Sequence, residues 1–205
     1  MTASSDKRQD TSTEPQSGTD RTSPTQKRRL GEQLDVSEEV LADAVELYQQ
    51  FRESDAEVVH EEELPVAVLY IAVRQNGVPR QIDELAAVAD VSARHLYRTA
   101  RVVSDTLQQG IPPTEPELYV GRLADHFDIS PETEGNALDV LARAKADGYH
   151  IGRKPAGVAA AALYAAAEAD RTEITQRALS EATGVHIRTV RENYKELPST
   201  PEEEI

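Results

Sequence analysis

The sequence predicts an all-α fold of two tandem helical repeats, each ending in a helix-turn-helix. After residue 26, apolar residues recur at helical spacing and no convincing strand pattern appears. Three short segments also recur in the same order at a shift of about 93 or 94 residues. Residues 150–197 have the pattern of one buried Ala-rich helix, a short helix, a tight turn and a further helix.

The amino-acid composition separates a polar N-terminal segment from the helical part of the chain. Residues 1–26 are rich in Ser, Thr, Gln, Asp and Pro and have no apolar period, which predicts a disordered polar tail. We expect a first repeat over 27–110, a second over 111–198 and an acidic tail over 199–205, with a stiff Pro-rich link at 111–116. The helices are predicted over roughly 37–53, 61–74, 82–90, 92–109, 116–128, 132–147, 155–169, 175–183 and 187–197.

The internal repeat decides the architecture. The matching pairs are Leu34–Ser37 with Phe127–Ser130, Ala67–Tyr70 with Ala161–Tyr164, and Leu85–Val91 with Leu179–Val185. One such match is easily produced by chance, but three in order at one shift indicate a duplicated unit.

The second half carries the clearest helix-turn-helix pattern. Pro155 suits the first turn of a helix, and the mostly Ala stretch 158–167 predicts a central helix packed on all sides. That stretch is far too short to span a bilayer. Thr175 precedes a short helix that ends near Thr183, Gly184 supplies the turn, and the next helix begins near Ile187.

This last helix has an apolar face and a basic face. The apolar face is predicted to contain Ile187, Val190, Tyr194 and Leu197. Arg188, Arg191 and Lys195 recur at i, i+3 and i+7 on another stripe, with Thr189 beside them. The major groove of DNA admits one helix, where Arg can pair with a guanine edge through two bonds. The spacing alone is also compatible with an ordinary amphipathic helix that has a solvated charged face.

The repeat extends the same argument to the first half. Ser92 is a natural N-cap, and the residues expected to face inward after it are Leu96, Ala100, Val103 and Leu107. Arg94, Arg98 and Arg101 form an exposed stripe with His95 alongside. Two basic helices at matching places in a strongly acidic chain favour DNA binding.

The overall charge of −15 argues against a general nucleic-acid coat, which would be basic. An acid-rich, Lys-poor chain with few aromatic residues suggests a cytoplasm of high salt; the alternative is an acidic protein from an ordinary cell. No Cys is present, which excludes disulfides, thiolate zinc sites and Cys nucleophiles.

No signal peptide or membrane span is recognised, so a cytoplasmic location without membrane contact is expected.

An enzymatic role finds little support. The sequence has no persuasive Ser/His/Asp spacing, no Gly-rich phosphate loop and no metal-ligand cluster. His60 with Glu61–Glu63, and His126 near Asp125 and Asp128, are interpreted as solvated surface. We therefore expect no enzyme, no cofactor, no bound metal and no small-molecule substrate.

Residues 27–197 resemble a known family. The blocks GRKPAGVAAAALYAAA, TQRALSEATGV and TVRENYKEL closely resemble the second cyclin-like repeat of archaeal transcription factor B, the counterpart of eukaryotic transcription factor IIB. The first half resembles the first repeat more loosely, and PPTEPELYVGRLADHFDIS matches the segment that joins them. The acidity points to a haloarchaeal source.

The resemblance implies two cyclin-like repeats that bind promoter DNA together with the TATA-binding protein. In the family, the second-repeat recognition helix reads the B recognition element, and its Arg and Thr fall on Arg191 and Thr189. A family Val is replaced by Arg188, which puts the base preference there in doubt. The residues placed at the DNA by position or by pattern are Arg188, Thr189, Arg191, Lys195, Thr175, Gln176, Arg153, Lys154, Arg94, His95, Arg98 and Arg101.

Departures from the family pattern shape the expected function. The family begins with a zinc ribbon that recruits RNA polymerase, for which this sequence has no match, and only a remnant around Arg28–Leu34 corresponds to the first helix of repeat one. Loss of that helix is expected to uncover apolar surface. His60–Glu63 replaces a Gly-basic segment. We expect a DNA-binding modulator of transcription initiation; the alternative is a cyclin-like interaction scaffold that does not touch DNA.

Overall fold

Helices supply the regular structure of the residues that the computed structural model describes, which are Leu34 and 36–197. These residues contain nine α-helices, one short 3-10 helix and no strand, so the all-α prediction is confirmed. The tails predicted over 1–26 and 199–205, and most of the segment Arg28–Leu34, lie outside the described residues. Among the described helices, none has both the length and the apolar character needed to cross a bilayer.

The first repeat surrounds one central helix. Its described elements are α1 (Glu38–Glu53), the 3-10 helix (Glu61–Glu63), α2 (Leu64–Gln75), α3 (Ile82–Ala89) and α4 (Ala93–Thr106). The central helix is α2, which is apolar nearly all round and is buried because α1, α3 and α4 pack against it. The largest fully buried side chains of this core are Phe51, Leu64, Ile71, Leu85 and Leu96.

The second repeat has the same plan. Its elements are α5 (Pro116–His126), α6 (Pro131–Ala146), α7 (Pro155–Ala169), α8 (Gln176–Thr183) and α9 (Ile187–Glu196). The other four helices pack against α7, whose alanines keep its surface narrow enough for close approach. Pro155 lies in the first turn, as predicted, and α7 is buried from Ala156 to Leu163.

The central helix of the first repeat begins later than predicted. The sequence pattern predicts an α-helix from residue 61, but Glu61–Glu63 form a 3-10 turn and the α-helix begins at Leu64. Pro65 is the physical reason, because it has no N–H to donate to the Glu61 carbonyl. The Leu64 N–H instead bonds to the Glu61 carbonyl in the tighter 3-10 pattern.

Left-handed residues set several helix ends. Asp90 (φ 54) ends α3 and Gly184 (φ 65) ends α8, so both helix-turn-helix turns have the same backbone conformation at positions 94 residues apart. Predicted helices over 92–109 and 116–128 run too far. The left-handed Gln108 (φ 53) and Asp128 (φ 54) follow the true ends at Thr106 and His126.

Polar contacts join the two repeats at the start of α3. The Arg122 guanidinium on α5 forms two bonds to Glu84, at 3.1 and 2.9 Å, and a third to the Pro79 carbonyl at 2.7 Å. The Gln81 side-chain amide donates to the Thr183 carbonyl at the end of α8. In the Pro-rich link, the Pro112 carbonyl accepts from Arg74 Nε at 2.8 Å.

One surface prediction is wrong. Glu63, interpreted from the sequence as solvated, is only 3% exposed and its carboxylate accepts a hydrogen bond from the Thr99 hydroxyl at 3.3 Å. The 3-10 turn explains this, because it directs the last of the three glutamates between α2 and α4. His126, Asp125 and Asp128 are exposed, as predicted.

Candidate nucleic-acid interface

The second helix-turn-helix is built by local sequence signals. The Thr175 hydroxyl accepts a hydrogen bond from the Ala178 N–H at 3.1 Å and caps α8. After the left-handed Gly184, His186 caps α9 by accepting from the Arg188 N–H through Nδ1 at 3.1 Å. The predicted turn and both helix starts are confirmed, and the cap by His186 was not predicted.

The inner face of α9 fixes the helix on α7. Val190 is fully buried, and the Tyr194 ring packs edge-on against Tyr164 with centroids 4.9 Å apart. The Tyr194 hydroxyl bonds to Glu168, which raises the pKa of Tyr194 to about 12 and keeps the phenol a donor. Ile187, predicted to face inward, is only half-buried and is not among the residues packed on the core.

The opposite face carries the predicted basic stripe. Arg188, Arg191 and Lys195 are all exposed. Arg188 pairs with Glu192 on the same helix at 2.7 Å, whereas Arg191 and Lys195 form no ion pair with any described residue. Both unpaired cations are therefore available to an anionic partner.

The Arg153–Lys154 pair is partly engaged within the protein. Arg153 donates to the Asn193 side-chain oxygen at 2.9 Å and to Glu196 at 2.7 Å, and its guanidinium lies 4.1 Å from the centre of the Tyr149 ring. Lys154 is exposed and lies 3.5 Å from Asp83 of the first repeat. Arg153 therefore stabilises α9 through its bonds to Asn193 and Glu196. Lys154 is the more solvent-accessible of the two cations.

The remaining second-repeat candidates lie around the start of α8 and on the side of α9. Thr175 is exposed, but its hydroxyl already serves as a cap. Gln176 is half-buried in the first turn of α8, and Thr189 is half-buried on α9. Of these three, none is as open to a ligand as Arg191.

The first repeat presents a matching basic helix. Leu96, Ala100 and Val103 of α4 are buried, as predicted, and the Ser92 hydroxyl accepts from the His95 N–H at the N-cap. Arg94 and Arg98 are exposed and have no ion-pair partner among the described residues. Arg101 is exposed and lies 3.5 Å from Asp105.

His95 lies away from this arginine stripe. Its ring stacks on His60 with centroids 4.1 Å apart, and its Nδ1 lies 3.6 Å from the buried Glu63 carboxylate. The side chain is therefore turned toward the 3-10 helix rather than outward with the arginines. A role for His95 at DNA stays a prediction, as do the roles of the other eleven residues.

Two structural residues of the site were missed from sequence. Asn193 is 2% exposed on the inner face of α9, where Tyr149 donates to its backbone carbonyl at 2.9 Å and Arg153 donates to its side-chain oxygen at 2.9 Å. The sequence offered one signal for this burial, because Asn193 is a polar residue on the same helical stripe as Val190 and Tyr194. Arg122, which joins the repeats, gave no comparable signal, because its partner Glu84 lies 38 residues away.

Comparisons with known proteins agree with this architecture. The family model for the transcription factor TFIIB repeat matches residues 19–106 and 110–200. The chain is 40% identical over 136 residues to "Transcription initiation factor IIB 2" of Haloferax volcanii, covering 66% of this chain and 41% of that protein. It is 35% identical over 173 residues to "Transcription initiation factor IIB" of Pyrobaculum islandicum, covering 84% of this chain and 52% of the relative.

The matches define a shared region rather than a whole protein. The chain spans about half or less of the length of these curated relatives. They come from several archaea, among them Methanococcus maripaludis at 40% identity, so they do not single out a haloarchaeal source. The family consists of transcription initiation factors and is not an enzyme family. Both halves of the chain are TFIIB repeats, and the chain belongs to the TFIIB family.

Proposed function

We propose that this protein binds promoter DNA at the B recognition element together with the TATA-binding protein, and thereby modulates transcription initiation. The observation that carries the proposal is the exposed Arg191 on the outer face of α9, which has no ion-pair partner among the described residues and lies in a helix-turn-helix of the TFIIB family. The relatives named transcription initiation factor IIB support the same general role.

In this mechanism α9 enters the major groove. Arg191 pairs with the O6 and N7 acceptors of a guanine, and Lys195, on the same stripe and nearer the helix end, contacts a phosphate. Arg188 contributes less, since binding DNA would require it to leave Glu192. The first repeat adds backbone contacts through Arg94 and Arg98, which are exposed and unpaired among the described residues.

The charge of the chain explains why a protein partner is needed. A net charge of −15 opposes approach to a phosphate backbone, and each local basic stripe contains only two or three cations. Glu192 and Glu196 also lie exposed on α9 itself. Binding is therefore expected to be weak on DNA alone and strong when the TATA-binding protein has already bent the promoter and presents a second surface.

A mobility-shift assay on a TATA promoter, with and without the TATA-binding protein, tests the proposal. We expect a ternary complex that is lost when Arg188 and Arg191 are both changed to Glu. The control is Arg171→Asn, which removes one exposed charge in the turn after α7, where φ is +56 and Asn is tolerated. Absence of any complex with a folded parent chain would overturn the proposal and favour an interaction scaffold.

A further inference from the structure

Three possible metal ligands meet beside the first helix-turn-helix, where the sequence predicted no metal-ligand cluster. His60 precedes the 3-10 helix, Glu63 ends it, and His95 lies in the first turn of α4. One donor atom from each side chain lies within 4.8 Å of the donors of the other two. The two imidazole rings are stacked at 4.1 Å with an angle of 9° between their planes.

The carboxylate of this group is in an unusual position. Glu63 is 3% exposed, and a buried glutamate is rare unless an opposite charge accompanies it. Its polar neighbours in the described part of the chain are the Thr99 hydroxyl at 3.3 Å and His95 at 3.6 Å, and no Lys or Arg there pairs with it. A cation held at the same place would balance the charge of this buried carboxylate.

The second repeat shows that the fold does not require this cluster. The residues 94 positions after Glu63 and Thr99 are Gly157 and Asn193, and a Cβ on Gly157 would lie 3.0 Å from the Asn193 amide nitrogen. The same contact between α7 and α9 is thus made there without a carboxylate. At the positions equivalent to His60 and His95 stand Lys154 and Thr189, neither of which is a usual metal ligand.

We propose that His60, Glu63 and His95 form a binding site for a divalent transition-metal ion, with Zn²⁺ as the best match. Two imidazoles and one carboxylate are a donor set that Zn²⁺ accepts, with a fourth position for water. The side chains of His60 and His95 are 32% and 40% exposed, which gives the ion a path from solvent. Binding requires the stacked rings to turn so that a nitrogen of each converges on the ion.

The bound ion would join two elements that are distant in sequence. His60 and Glu63 hold the start of α2, whereas His95 belongs to the helix that carries Arg94 and Arg98. A metal bridge would therefore stabilise the orientation of α4 against the central helix of the first repeat. This role does not depend on DNA binding by the chain.

Isothermal titration of the tag-free chain with ZnCl₂ tests the site directly. We expect one equivalent to bind, with at least about tenfold weaker affinity in His60→Gln and His95→Gln, since even outer-shell ligand partners contribute about 10–100-fold. The matched control is His126→Gln, which removes an exposed histidine outside the cluster and should bind Zn²⁺ like the parent.

Thermal unfolding provides a second readout. Zn²⁺ should raise the Tm of the parent and of His126→Gln, because an ion that binds only the folded state stabilises it by mass action. The Tm of His60→Gln and His95→Gln should respond much less, with each variant shown to be folded by circular dichroism. Failure of the parent to bind Zn²⁺, or equal affinity in all four proteins, would overturn the proposal.

Discussion

At the scale of single residues, the cations of the candidate interface differ in how much of their bonding capacity the protein already uses. Arg153 is committed to Asn193 and Glu196, and Arg188 to Glu192, whereas Arg191 has no partner among the described residues. An arginine that already makes charged hydrogen bonds gains less from DNA than one that exchanges only water. Base reading should therefore be concentrated at Arg191.

We expect Arg191→Ala to cost about 1–3 kcal/mol of binding free energy at one base position and less elsewhere. The measurement is a competition mobility-shift series in which each base pair upstream of the TATA box is changed in turn, with Arg171→Asn as the charge control. An equal loss on all sequences would show that Arg191 contacts only phosphate.

Gly157 gives a stability prediction at the same scale. A Cβ there would lie 3.0 Å from the Asn193 amide and 3.4 Å from Val185, inside the packed contact of α7 with α9. Overpacking costs about 1–3 kcal/mol, against a gain of about 1 kcal/mol in helix propensity. We expect Gly157→Ala to lower the free energy of unfolding by roughly 1 kcal/mol in urea titrations.

Gly135→Ala is the matched comparison, because Gly135 lies exposed in α6 with no atom near its would-be Cβ. Only the propensity effect remains there, so this variant should be stabilised by up to about 1 kcal/mol. Stabilisation of both variants would mean that Asn193 shifts at little cost.

The sequence predicted the exposure or burial of a side chain correctly where the helical period alone determines it. The exposed Arg191 and the buried Val190 both follow from the 3.6-residue repeat of α9. The burial of Glu63 did not, because it depends on a 3-10 turn and on Thr99, which lies 36 residues further along the chain. Burial of a polar side chain is decided by its partner, and one sequence does not identify that partner.

At the scale of elements, the helices were predicted well and their ends less well. Pro155, the N-cap hydroxyls of Ser92 and Thr175, and Gly184 marked their helix starts and turn correctly. The ends of α4 and α5 were extended too far, since the left-handed residues that stop them are Gln108 and Asp128 rather than glycine. The polar contacts between the start of α3 and the second repeat were not predicted at all.

The contact between Arg122 and Glu84 leads to a stability prediction. Its two bonds to Glu84 are partly shielded, with side-chain exposures of 26% and 20%. Loss of charged hydrogen bonds of this kind costs about 1.5–3 kcal/mol, so Arg122→Met should lower the urea midpoint clearly. The control Arg177→Met breaks the highly exposed pair with Glu181 within α8, which is worth at most about 0.5 kcal/mol. Equal effects would show that the inter-repeat pair adds no more than a surface pair.

At the scale of the whole molecule, the excess of negative charge is the main electrostatic influence on stability. The chain has 37 acidic and 22 basic side chains, so 15 negative charges stay unbalanced even if every cation is neutralised by a carboxylate. Their mutual repulsion opposes the compact state. The ion pairs that are present are mostly exposed, and exposed pairs of this kind add little to stability.

Salt should therefore stabilise this protein. Between 0.1 and 1 M the screening length falls from about 10 to about 3 Å, which removes most repulsion between separated carboxylates. We expect the Tm in KCl to rise by at least about 3 °C over this range, the shift that about 1 kcal/mol produces in a chain of this size.

The shape of the salt response distinguishes screening from solute exclusion. Screening is nearly complete at about 1 M, so the Tm curve should be steep at low KCl and then flatten. Exclusion of the solute from the protein surface continues to increase with concentration, so a sucrose series should rise steadily without a plateau. A KCl response that is equally steep above and below about 1 M would contradict a repulsion-limited fold. A flat response would show that the excess carboxylates are too far apart to repel one another.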